Sequence, residues 1–207
     1  MVRNRTLVLA HLWLAFAVFA LAAMLGVWQM WVRSPLHAPY ADPGNYFLSV
    51  TAHGTSMAYV LTTFFVMGFG YFMAESALGR PLPAPGAAWT AFGMGVVGTV
   101  MAIITVLSGD ATVLYTFYPP LTASAFYYIG LVLVVAASWV WCAIMFVAMV
   151  RWKRQYPGLP VPLAMFATVA NAVLWAWTTA TTSTRYGFRG ENCSACALAQ
   201  KTCWQNR

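Results

Sequence analysis

The chain has 207 residues, 61% of them hydrophobic and 7% charged, with a formal net charge of +7. Soluble domains carry about 25% charged residues, so this composition excludes a water-dissolved globular enzyme and points to a polytopic helical membrane protein in a lipid bilayer. The positive charge lies in short segments between apolar runs, where basic residues set topology, and no soluble basic domain is present to bind nucleic acid.

Met1 to Thr6 carries two arginines ahead of an apolar run from Leu7 to about Val32. That run exceeds the roughly 7 to 15 apolar residues of a signal-peptide core, so it reads as a retained first span. His11 lies near the start of the span. His37 lies in the loop Arg33 to Tyr46, where Pro35, Pro39, Pro43 and Gly44 break helix. Both histidines are expected to be solvated or interfacial, as are Arg33, Tyr40 and Asp42.

The second span, about 47–74, contains Thr51-Ala52-His53-Gly54-Thr55-Ser56-Met57, and Glu75, Arg80, Pro81, Pro83 and Pro85 form the connection after it. The third, about 87–107, has Gly93, Gly95 and Gly98 spaced to let another helix come close. A loop from Ser108 to Leu121 then holds Asp110, Tyr115, Tyr118 and Pro119-Pro120. Span four, about 123–150, ends at Arg151, Lys153 and Arg154, and span five, about 162–182, fades into a run of threonines. The expected fold is all-α: a transmembrane bundle of about five helices over residues 1–182, followed by a polar tail, 183–207.

A cytoplasmic N-terminus puts Arg3, Arg5, Arg80, Arg151, Lys153 and Arg154 on one side of the membrane and Arg33 opposite them, as the positive-inside rule favours. His53 and the loop with Tyr115 and Tyr118 then fall toward the outer face.

An ionisable side chain at membrane depth is a candidate functional residue, and His53 is such a residue. A neutral ring nitrogen binds iron, and the adjacent Gly54 removes bulk where a flat macrocycle must approach. On a regular helix Met57 and Val60 continue the same face one and two turns on. The alternative is a buried imidazole bonded to a carbonyl or hydroxyl on a neighbouring helix. Tyr115 and Tyr118, for their part, suit an aromatic anchor at the membrane surface, held by a turn that the prolines fix.

The loop Tyr115 to Leu121, His53-Gly54 and the order of spans resemble the N-terminal part of subunit I of the haem-copper oxidases, the terminal oxidases of respiration. The longer run Ala111 to Leu121 and the cluster Arg151-Trp152-Lys153 resemble the B-type branch, which includes the ba-type cytochrome c oxidases. The resemblance covers about Leu7 to Trp177. It implies that His53 is an axial ligand of a low-spin haem of b type, and that Gly54, Met57, Tyr115 and Tyr118 belong to its pocket.

It also implies a bacterial or archaeal cytoplasmic membrane, a partner subunit II with a copper centre, and cytochrome c as electron donor. Oxygen would be reduced to water with proton translocation. The acidic proton-entry motif of the A-type branch is replaced here by Gly79-Arg80-Pro81-Leu82-Pro83-Ala84-Pro85. In the family the other haem and copper ligands lie beyond the fifth span. With three histidines in all, copper and the second haem are expected only in the complete subunit, and the chain alone is expected to be inactive.

From Thr184 to Arg207 the chain is polar and carries Arg185, Arg189, Lys201 and Arg207 against the preceding charge bias. This suggests a truncated or frameshifted reading that departs from the family near Thr181, in which Cys193, Cys196 and Cys203 would be accidental rather than a metal site. Two other classes compete: a non-catalytic helix bundle without cofactor, and a transporter with His53 in its pathway. The transporter is disfavoured because the spans lack coupling charges.

Overall fold

The computed structural model describes residues 3–35, 43–114, 116–117 and 121–187. Helix α1 runs from Arg5 to Arg33, and α2 from Pro43 to Thr55. A π-helical turn, Ser56–Leu61, leads without a break into α3, Thr62–Leu78. Then come α4, Pro85–Leu107, α5, Ala125–Gln155, and α6, Leu163–Gly187. Because α2, the π turn and α3 form one span, 5 helical segments among the described residues are long and apolar enough to cross a membrane. Lipid offers no hydrogen bonds to backbone groups, so long apolar runs of this kind close their own ladders as helices.

The ends follow from local chemistry. Pro85 occupies the first turn of α4, where its missing N–H costs nothing. Gly79 ends α3 in the left-handed conformation at φ +64°, which a residue with a β-carbon adopts reluctantly. The helices also outrun the apolar stretches, so that Glu75 lies within α3 and Arg151 to Gln155 within α5. A helix ladder does not need hydrocarbon around it, so charged residues can prolong the helix beyond its apolar run.

The most extensive packing joins α4 to α5. At its centre a β-carbon on Gly98 would lie 2.3 Å from the Gly130 carbonyl oxygen, and one on Gly130 would lie 2.6 Å from that of Gly98. The two backbones therefore touch directly, the arrangement that dispersion and weak Cα–H···O contacts favour in lipid. Of the other glycines in α4, Gly95 seats the Phe64 ring, whereas Gly93 faces nothing within 4 Å. The main core joins α1, α3, α5 and α6 through Leu7, Met67, Tyr71, Trp141, Met145 and Met165.

One end of the bundle carries a buried acid, Glu75, together with Arg80 and Arg151. Glu75, 4% exposed, accepts from the Arg3 N–H at 2.8 Å, the Asn4 N–H at 3.1 Å, the Asn4 side-chain amide at 2.5 Å and the Leu82 N–H at 3.1 Å. It thus ties the start of α1 and the α3–α4 connection to α3. Nearby, Arg80 bonds Gln155 and lies over the Tyr156 ring, and Arg151 reaches the Pro83 carbonyl. At the opposite end Gln29 donates to the Ser49 carbonyl at 2.9 Å, and Arg33 lies over the Tyr46 ring. The α4–α5 connection is closed there by Thr112 N–H to Thr122 O and Ser124 N–H to Asp110 O.

Candidate functional site

His53 sits in the last turn of α2, and its ring turns toward α1. Nδ1 lies 2.7 Å from the Ala22 carbonyl oxygen. A carbonyl can only accept, so Nδ1 carries the proton and the lone pair of the neutral ring is on Nε2. Four residues along α1, Gly26 leaves room for the ring: a β-carbon there would stand 3.2 Å from His53 Cε1 and 3.5 Å from Nδ1. One turn of α1 therefore fixes the tautomer and the tilt of the imidazole. Among the described residues no hydrogen bond engages Nε2.

This seat satisfies both readings of His53 left open by the sequence. It is an imidazole bonded to a carbonyl on a neighbouring helix, and that bond is also the one a metal-ligating histidine makes with its second nitrogen. A free Nε2 lone pair, a fixed ring and a buried glycine at Gly54 together fit an axial ligand of haem iron. A group of three or more His, Cys, Asp or Glu suited to a bare metal ion does not occur among the described residues.

Around His53 the second span is pinned by its threonines. Thr51, fully buried, accepts from the Leu114 N–H at 3.0 Å and donates to the Phe47 carbonyl at 3.0 Å. Thr55 shares a hydrogen bond of 2.5 Å with the hydroxyl of Tyr127 on α5. Leu114 and Phe117 adopt positive φ, 62° and 54°. Bulky residues rarely do so, and the strain is held in place by the Thr51 bond and by Phe117 packing on Tyr59 and Tyr128.

The helix that carries His53 is not regular through Met57 and Val60. From Ser56 to Leu61 the ladder bonds i to i+5, so the 3.6-residue period is broken within the seven residues from His53 to Val60. Met57 is half-buried, and Val60 is buried on the α1 side beside Ala15, Val18 and Phe64. Tyr115 and Tyr118 lie outside the described residues, as do His37, Tyr40, Asp42 and the three tail cysteines. His11 is a correction: it is fully buried rather than solvated, because α1 packs its start against Gly68 of α3.

Sequence reasoning missed Ala22, Gly26 and Tyr127. Ala22 acts through its backbone and leaves no signature. The polar pair Thr51 and Thr55 flanking His53 at four-residue spacing is a signal that pointed to a structured site.

Comparison with known proteins agrees with this architecture. The sequence family described as cytochrome c and quinol oxidase polypeptide I matches residues 6–187, a stretch that runs past Thr181. Cytochrome c oxidase subunit 1 of Thermus thermophilus is 33% identical over 131 residues, which cover 63% of this chain and 23% of that protein. A haem-copper terminal oxidase dimer solved by cryo-electron microscopy superposes with a TM-score of 0.74 at 35% identity, covering 82% of this chain and 29% of its own. The chain thus spans about a quarter of the length of these relatives. Together with the five apolar spans, the match over nearly the whole helical bundle identifies the chain as a multi-pass membrane protein belonging to the cytochrome c and quinol oxidase polypeptide I family.

Proposed function

We propose that the chain forms the N-terminal part of subunit I of a B-type haem-copper oxidase and contributes one axial ligand of the low-spin haem. The observation that carries this reading is the His53 seat: Nδ1–H is committed to Ala22, and Nε2 is left as the free donor atom. When bound, a haem there carries single electrons from the donor side to the centre where oxygen is reduced. His53 Nε2 would hold the iron. Ala22 raises the basicity of that nitrogen by accepting from Nδ1–H, and Gly54 gives the macrocycle room.

Cytochrome c, a copper-bearing subunit II and proton translocation belong to the complete enzyme, as does reduction of oxygen to water. With three histidines, of which His11 is enclosed in the core, these 207 residues supply no haem-copper centre, and the segment alone is inactive. Its surroundings are a bacterial or archaeal cytoplasmic membrane with the N-terminus inside. The clustering of Arg80, Arg151 and Lys153 at the end opposite Arg33 supports that orientation.

The test is a chimaera in which residues 6–187 replace the matching segment of a complete family member. The expected result is an intact low-spin haem band and retained oxygen uptake. A chimaera that inserts and folds but has no such band would instead favour a non-catalytic helix bundle. In the same background Gly26→Val crowds the ring from behind, at a cost of about 1–3 kcal/mol. It is expected to shift the electron paramagnetic resonance signature of the low-spin haem, and an unchanged signature would mean that α1 does not orient His53.

A further inference from the structure

Among the five spans α6 is the least enclosed, and it packs mainly on α5 and α3. Met165, Val169 and Ala172 form its buried stripe. At about 100° per residue, Phe166, Val173 and Trp177 lie on one flank of that stripe and Ala167, Asn171 and Thr178 on the other, and all six are exposed. The first flank is large and apolar, as suits contact with acyl chains. The second is not. Asn171 stands about 12 Å inside the start of the span Leu163–Thr181, near the middle of a hydrocarbon layer about 30 Å thick.

Thr62 and Thr90, also exposed, turn back on their own helices and bond the Ala58 and Gly86 carbonyls. The carboxamide of Asn171 makes no hydrogen bond among the described residues. It carries two donors and an acceptor, none of which lipid satisfies. A polar residue at this depth belongs against protein, and small residues beside it let a second backbone come close, the two devices by which helices associate in a bilayer. The relatives extend for about three quarters of their length outside the matched segment. On the reading of the chain as the N-terminal part of a subunit I, we propose that the flank of α6 with Ala167, Asn171 and Thr178 seats another transmembrane helix, supplied by the part of that subunit outside these 207 residues. Asn171 hydrogen-bonds across to it at mid-depth. The partner helix therefore offers a polar side chain or a free backbone carbonyl opposite Asn171, while the flank with Phe166, Val173 and Trp177 stays in lipid.

The test compares Asn171→Leu in two settings in detergent: the chimaera carrying residues 6–187 in a complete family member, and the chain alone. In the chimaera the melting temperature is expected to fall by roughly 1–3 °C, and Asn171→Gln to recover part of that loss because it keeps both ends of the amide. In the chain alone Asn171→Leu is expected to leave it unchanged or raise it, since the amide there has no partner to lose. No fall in the chimaera overturns the proposal and assigns the flank to lipid. A fall in the chain alone also overturns it, and if that chain passes from dimer to monomer the occupant is a second copy. A density map of the unsubstituted chimaera decides alone if a variant does not fold: an atom of another helix within about 3 Å of the Asn171 amide supports the seat, and an amide facing the detergent belt overturns it. Neither readout uses haem. A chimaera with the shift but no haem band keeps the helix seat and removes His53 from its role, and a full band without the shift does the reverse.

Discussion

Changing His53 to alanine in the complete subunit is expected to abolish the low-spin haem band and, with it, electron transfer to oxygen. The fold should survive, because the substitution removes a single hydrogen bond, from His53 to the Ala22 carbonyl, worth about 1 kcal/mol net. Loss of colour without loss of the bundle would therefore report a missing ligand rather than a collapsed protein. Added imidazole provides the sharper control. A ligand role predicts partial recovery of the low-spin spectrum when free imidazole enters the space beside Gly26, whereas a packing role predicts none. A full haem band in His53→Ala would remove the residue from the site.

Glu75→Ala is expected to be the most destabilising single substitution away from His53. It leaves three backbone N–H groups and the Asn4 side-chain amide facing a buried space without their acceptor. Breaking a buried, charge-assisted set of this kind costs about 3–5 kcal/mol. At roughly 2–4 °C per kcal/mol, the melting temperature followed by tryptophan fluorescence should fall by about 10 °C. Glu75→Gln keeps one acceptor oxygen and should fall about half as far. Equal stability of wild type and Glu75→Ala would show that the start of α1 is not docked on α3.

What the sequence made legible is what lipid dictates. Apolar runs of spanning length, bounded by prolines, glycines and arginines, are direct consequences of bilayer thickness, and all five reappear as helices. His53 stood out for the same reason: an imidazole inside such a run is rare. Less legible was anything decided by one helix meeting another. Glu75 reads as part of a connection, yet four N–H donors draw it into α3. His11 reads as an interfacial residue, yet Gly68 admits it to the core. The seat of His53 is a backbone carbonyl and a missing side chain, two features that composition cannot flag. As pocket residues Tyr115 and Tyr118 were drawn from resemblance alone, and of the residues beside them Leu114, Thr116 and Phe117 are described.

The π turn between α2 and α3 divides the second span into two sections that keep different angular phase. The section before it is set by what His53 must face, and the section after it by what Phe64, Met67 and Tyr71 must fill. An unbroken α-helix would oblige a single rotation to serve both, so that any repacking of the lower core would swing the imidazole off Ala22. With a wide turn between them the upper section can be indexed to the contact of His53 with Ala22 and the lower to the bundle. Within this span, core residues of α3 are therefore free to vary without re-aiming the His53 ring.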